Sequence, residues 1–204
     1  MFAAGESLSA ARAAMVMVHG RGATAESILT LADALNQDGF AYMAPQAAGG
    51  TWYPNSFLAP IASNEPWLTS ALAVVGNVCD RVTASGLTPE RTILLGFSQG
   101  ACLVLEFAAR RARRYGGVVG LSGGLIGPDG TPRDYPGSLD GTPVFLGCSD
   151  ADAHIPKARV LHTAAVLRRL GGSVADRLYP GMGHTVNEDE LEVARGMMRA
   201  LRVT

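Results

Sequence analysis

The chain has 204 residues, 48% hydrophobic and 17% charged, with a formal net charge of −1, which suits one compact domain with a large core. That charge balance excludes an electrostatic case for a nucleic-acid partner, and no apolar run reaches the roughly eighteen residues a membrane-crossing helix requires. Met1 to Ser7 lacks a charged start followed by an apolar stretch, so a soluble, cytoplasmic protein with no integral membrane association is expected.

Residues 13–18 read as a buried strand, followed by the glycine-rich loop His19-Gly20-Arg21-Gly22. Residues 24–38 carry Ile28, Leu31, Ala32 and Leu35 on one helical face and stop at Gly39, and a second strand is expected over 40–44. The longest irregular stretch, Gln46 to Asn64, contains Trp52, Tyr53, Phe57, Leu58 and Ile61. A loop this long inside a compact domain is usually functional. Its aromatic residues either cover the edge of the core or form a substrate pocket, for which Trp52 and Tyr53 are the candidates.

A helix is expected over 66–85, opening at Pro66 and stopping at Gly86, and a strand over 92–97. Next comes Gly96-Phe97-Ser98-Gln99-Gly100, opening onto Ala101-Cys102-Leu103-Val104-Leu105. Strand, sharp turn and buried helix form the context in which a G-x-S-x-G serine is held exposed, with glycines where the two backbones come too close for larger side chains. The cluster Arg110, Arg111, Arg113 and Arg114 falls at the end of that helix, where cations complement its dipole.

Strands are expected over 117–121, 143–148 and 174–178. After the first of these, Leu121 to Ile126 supplies a second candidate pocket wall at Leu125. After the second, Cys148 to Pro156 offers Asp150 and Asp152, with His154 beside them. Lys157 to Leu170 has helical spacing, with His162, Arg159 and Arg169 on the face opposite the apolar residues, so His162 reads as a surface residue. After the third strand, Tyr179 to Gly183 leads to His184, and an acidic helix start follows at residues 187–190.

Alternating strands and helices imply a mostly parallel sheet covered on both faces, with a site at the carboxyl ends of the strands. Ser98, the two aspartates and His184 all follow strands and share that edge. A serine hydroxyl needs a base within hydrogen-bond reach and a group to orient the base. In this architecture the order is serine, acid, histidine, which makes Ser98 the nucleophile and His184 the base. Asp150 and Asp152 both stand in place for the acid, with a cap on the helix near Pro156 as the alternative role for each. The Gln99 amide and one amide from the 19–22 loop would hold an oxyanion, and His19 reads as structural. Cys79, Cys102 and Cys148 read as reduced core thiols. No Cys/His cluster has zinc spacing, so neither metal nor cofactor is expected.

Four blocks carry a resemblance across nearly the whole chain: Val18 to Ala23; Ala44 to Ala47 with Trp52-Tyr53-Pro54; Gly96 to Gly100; and Gly147 to Pro156 with Gly183-His184. In them the sequence resembles the phospholipase/carboxylesterase family of α/β-hydrolases, relatives of the acyl-protein thioesterases. The resemblance implies a single α/β-hydrolase domain over residues 1–204 with no large lid. Its D-x-x-[VI]-P element points to Asp152 as the acid, and its H-G-x-G element to the Arg21 backbone as the second oxyanion donor. It further implies cleavage of carboxylic esters through an acyl-enzyme, on a small-molecule ester substrate, and the lack of sequence for a large lid points to esters of short to medium acyl chain. Thioester or lysophospholipid cleavage is the nearest alternative, and a ligand-binding scaffold without turnover the alternative of a different class. A homodimer is compatible with all of these.

Overall fold

Buried strand residues in this chain sort by parity. Along residues 13–18, Ala14, Val16 and Val18 enter one apolar core and Ala13, Met15 and Met17 the other, all fully buried, the pattern of a strand covered on both faces. The computed structural model describes residues 1–201. Among these the strands are β1 (Phe2–Gly5), β2 (Ala13–Val18), β3 (Phe40–Ala44), β4 (Thr92–Phe97), β5 (Gly117–Leu121), β6 (Pro143–Ser149) and β7 (Ser173–Tyr179). The helices are α1 (Ala25–Leu35), α2 (Trp67–Ala84), α3 (Gln99–Arg110), α4 (Lys157–Arg169) and α5 (Glu188–Ala200).

The strands form one sheet in the order β1-β3-β2-β4-β5-β6-β7. All neighbours run parallel except β1, which pairs antiparallel with β3 at the edge. Because β3 lies on one side of β2 and β4 on the other, the winding reverses between β2 and β4. Such a reversal opens a crevice at the carboxyl ends of those two strands. The loops leaving them carry Arg21 and Ser98.

Helices α1 and α5 cover the face bearing Met15, Met17, Ile93 and Leu95, through Ile28, Leu35, Ala194 and Met198. Helices α2, α3 and α4 cover the other, and α3 is buried from Gln99 through Ala109. The sequence expectations miss β1, a four-residue edge strand too exposed to carry an apolar alternation. The first helix ends at Leu35 rather than 38, because Asn36 already takes the left-handed conformation (φ 40°) that closes it. Pro66 caps α2 from outside instead of opening it.

One face assignment is corrected in α4. Arg159, expected on the outer face, is buried, and Leu161, expected inside, is exposed. The Arg159 guanidinium donates to the carbonyls of Leu125 and Gly127 and to Asp129. These acceptors cluster in one loop, and a charged fork that satisfies them displaces an apolar side chain from that position. His162 is exposed, as expected.

Candidate active site

The turn between β4 and α3 holds Ser98 at φ 55° and ψ −120°, a conformation that costs a non-glycine residue on the order of 1–3 kcal/mol. The surroundings enforce it. The Ser98 N–H donates to the Leu121 carbonyl of β5 (2.9 Å). A Cβ at Gly100 would collide with the carbonyls of Val18 and His19, and one at Gly96 with the carbonyl of Gly100. Both glycines are therefore required by the approach of α3 to β2 and β4, and the serine at the apex stays half-buried rather than packed away.

His184 lies in the loop after β7. Its Nε2 accepts from Ser98 Oγ at 2.8 Å and its Nδ1 donates to Asp152 Oδ2 at 2.7 Å. The imidazole packs against the Phe97 ring (5.0 Å between centroids) and meets the His154 ring edge-on (4.8 Å). Asp152 has a fully buried side chain. Burial alone would raise its carboxyl pKa, but hydrogen bonds from His184 and from the backbone N–H groups of His154 and Ile155 outweigh that and hold it below the ordinary value.

Asp150 does something else. Its Oδ1 accepts from the Gly181 N–H at 3.0 Å, and Ser149 Oγ accepts from the Gly183 N–H at 3.2 Å. Two residues of the β6 loop thus clamp the segment that carries His184, while a third, Asp152, touches the imidazole itself. Sequence spacing left this choice open because both carboxylates lie in one loop.

Arg21 and Gln99 both line the cavity beside Ser98. Gln99 is the first residue of α3, where an amide has no intrahelical partner. Gly20 packs on the serine, so that a Cβ there would lie 3.3 Å from Ser98 Cβ. His19 is buried, with Nδ1 donating to the Gly20 carbonyl (2.7 Å) and Nε2 accepting from the Ala47 N–H (3.1 Å). It braces the loop and does not reach the serine.

A cavity of about 410 Å³ opens above Ser98 and His184. Residues 53–57 form one wall, His154 and Ile155 stand opposite, and Cys102 lies among the lining residues. Of the expected pocket residues, Tyr53 lines this cavity, but Trp52 and Leu125 do not. Trp52 Nε1 donates to the His19 carbonyl (2.9 Å), which turns the indole to the far side of its own strand of loop. There it lines a separate hollow with Trp67 and Val74. Leu125 is fully buried, its backbone held by Thr163 and Arg159. Phe57, one of the aromatic residues weighed for a pocket, lines it too, whereas Asn55, Ser56, Cys102, His154 and Ile155 were not assigned to a pocket from the sequence, since no periodic signal marks side chains that converge from different loops. Among the described residues, no group of three His, Cys, Asp or Glu side chains could hold a metal ion.

Comparison with known proteins bears on this geometry. The phospholipase/carboxylesterase family matches residues 3–201. The chain belongs to that family. A phospholipase/carboxylesterase of Dyadobacter fermentans of known crystal structure is 41% identical, with a TM-score of 0.93 over 97% of this chain and 95% of that one. The chain is 34% identical to acyl-protein thioesterase 1 of Gibberella zeae over 126 residues, 60% of this chain and 53% of that protein. It is 27% identical to a carboxylesterase of Arabidopsis thaliana over 127 residues, 61% of this chain and 56% of that protein. The chain spans about half the length of these last two relatives.

In this family member the helix after the His184 loop begins with a buried acid. Asn187 and Glu190 form a reciprocal cap, Asn187 N–H to Glu190 Oε2 and Glu190 N–H to Asn187 Oδ1, both 2.9 Å. Glu190 is fully buried and its Oε1 has no hydrogen-bond partner. Burial, aided by the charge of Asp189, raises its pKa to about 7 against a partial lowering by the Asn187 N–H. A carboxyl with a raised folded-state pKa binds more protons folded than unfolded between about pH 4.5 and 7, so stability falls as pH rises through that window. Glu190→Gln keeps an acceptor for the cap and removes the charge. It is expected to raise Tm by about 3–8 °C at pH 8 and to leave it nearly unchanged at pH 4.5; equal Tm values at both pH values would show that the carboxyl is not desolvated.

Proposed function

We propose that this protein is a serine hydrolase that cleaves carboxylic esters through an acyl-enzyme, and that it works as a single α/β-hydrolase domain on small-molecule esters in the cytoplasm. The observation that carries this reading is the unbroken chain Ser98 Oγ, His184 and Asp152 Oδ2, with contacts of 2.8 and 2.7 Å, at the crevice where the sheet winding reverses. In it Ser98 Oγ attacks the ester carbonyl while His184 Nε2 takes its proton, and the oxygen that becomes negative is held by the Arg21 and Gln99 amides. The alkoxide leaves with the proton from His184. Water then attacks the acyl-serine by the same route and restores the hydroxyl. Asp152, ionised because four donors face its two oxygens, counting the weak contact of the Cys148 thiol at 3.7 Å, keeps the imidazole in the tautomer that presents a bare Nε2 to Ser98.

A fluorophosphonate probe tests the nucleophile, and release of the alcohol and the acid in equal amounts tests turnover; labelling without deacylation would favour the scaffold that binds and does not turn over. The 410 Å³ cavity is lined mostly by loop residues, with only Gln99 and Cys102 coming from a helix, so kcat/KM is expected to peak at acyl chains of roughly two to eight carbons, each well-buried methylene contributing up to about 0.8 kcal/mol. Phe57→Ala removes part of the wall and is expected to move the peak toward longer chains. A panel of matched p-nitrophenyl esters and thioesters measures both, and a preference for sixteen-carbon thioesters would replace the esterase reading with a thioesterase one.

A further inference from the structure

The two amides assigned to the oxyanion belong to residues whose side chains grip the same piece of chain. Gln99 Oε1 accepts from the Trp52 N–H (2.9 Å) and Gln99 Nε2 donates to the Tyr53 carbonyl (2.8 Å). Arg21 donates to that same Tyr53 carbonyl (2.9 Å) and to those of Pro54 (2.9 Å) and Asn55 (2.8 Å). Tyr53 O is therefore shared by both residues. The Arg21 side chain is exposed and lines the cavity, and its fork donates to three backbone carbonyls.

The two amides differ in how firmly they are held. The Gln99 amide starts α3, which is buried along almost its whole length. The Arg21 amide sits in a turn between Gly20 and Gly22, and Gly22 has φ +75°, a left-handed conformation that glycine adopts without strain. The loop is tied at its ends, through Trp52 Nε1 to the His19 carbonyl and the Gly22 N–H to the Gly50 carbonyl (2.9 and 2.8 Å). Between those ties the Gly20–Arg21 peptide, whose N–H would point at the oxyanion, is held at its carbonyl by His19 Nδ1 (2.7 Å) and the Ala23 N–H (3.2 Å), and the Arg21 side chain anchors it from the other end. An oxyanion donor acts only when it is set within a few tenths of an ångström before the reaction, because the benefit is prepaid order.

We propose that the Arg21 and Gln99 side chains, through the Tyr53 carbonyl, are positioning groups that hold the two oxyanion amides in register. The linkage runs from α3 through Gln99 to the 52–55 segment and back through Arg21 to the loop after β2. Residues 53–57 of that segment also wall the substrate cavity, so a ligand pressing on the wall bears on the oxyanion site as well. The proposal rests on the hydrolase reading above.

Its signature is loss of transition-state binding with ground-state binding retained. The variants are Arg21→Met, which keeps the stem and removes every donor, Arg21→Lys, which keeps the charge and loses the fork, and Gln99→Met. Each is measured for kcat and KM on a short p-nitrophenyl ester, for the inhibition constant of a matched trifluoromethyl ketone, whose adduct with Ser98 carries the oxyanion, and for Tm. Arg21→Met and Gln99→Met are each expected to lower kcat about 10- to 100-fold and to weaken the ketone by a similar factor, with KM changed less than about threefold. Arg21→Lys should behave like Arg21→Met, because the fork and not the charge is what reaches three carbonyls. Since both links lie in one series, the double variant should lose no more than about threefold beyond the weaker single.

If Gln99→Met does not fold, the two Arg21 variants carry the test alone. A kcat within threefold of the parent for folded Arg21→Met, a loss confined to KM, ketone affinity left intact, or fully multiplicative losses in the double variant would each overturn the linkage. A parent protein with no turnover and no Ser98 labelling would instead remove the hydrolase reading beneath it.

Discussion

Ser98→Ala is expected to lower kcat on a short p-nitrophenyl ester by about 10⁴- to 10⁶-fold and to abolish labelling by a fluorophosphonate. The loss is this large because the serine is the only atom of the proposed constellation that bonds to the substrate. His184 and Asp152 have nothing to activate without it, and what remains is binding and the two amides. KM should change little, since the Ser98 side chain contributes little surface to a cavity walled by residues 53–57 and by His154 and Ile155. Thermal stability should change little, because alanine leaves the Ser98 N–H bond to Leu121 O untouched. Retention of more than a tenth of the activity in a folded variant would move the nucleophile elsewhere.

The second large effect separates two carboxylates two residues apart. Asp152→Asn is expected to lower kcat by about 10³- to 10⁴-fold, because an amide NH₂ facing Nδ1 favours the tautomer with its proton on Nε2, which can no longer accept from Ser98. Asp150→Asn keeps an acceptor for the Gly181 N–H and should cost less than about tenfold. Asp152→Asn should also change the pH response. The Asp152 carboxyl is held below its ordinary pKa, so in the parent it stays ionised and contributes folding stability above about pH 4, lost only as pH falls through the depressed value. Asp152→Asn should therefore flatten stability at the acidic end. A larger kcat loss in Asp150→Asn than in Asp152→Asn would exchange their roles.

Much of the architecture was legible before any coordinates. The unbroken apolar runs of residues 13–18 and of the stretch before Gly96 mark strands buried on both faces, and the helical spacing of Val75, Val78, Cys79 and Val82 marks the face that meets the core. Ser98 was legible for the same reason, since glycines two residues to either side record a collision between backbones adjacent in sequence. Strand β1 was not, because an exposed edge strand leaves no alternation to read. Arg159 was misplaced because its burial depends on the carbonyls of Leu125 and Gly127, more than thirty residues away.

By itself, then, the sequence determined the alternation of strands and helices, the serine turn, and the edge of the sheet on which Ser98, His184 and both aspartates must lie, all of them consequences of short-range period and steric exclusion. Only the tertiary structure decided which aspartate meets the imidazole, that Trp52 turns away from the cavity while Tyr53 and Phe57 face it, and that Arg21 and Gln99 share one carbonyl. Those outcomes are hydrogen bonds between segments 28 to 47 residues apart. Their directions follow from how loops meet above the sheet, and no local pattern of residues records them.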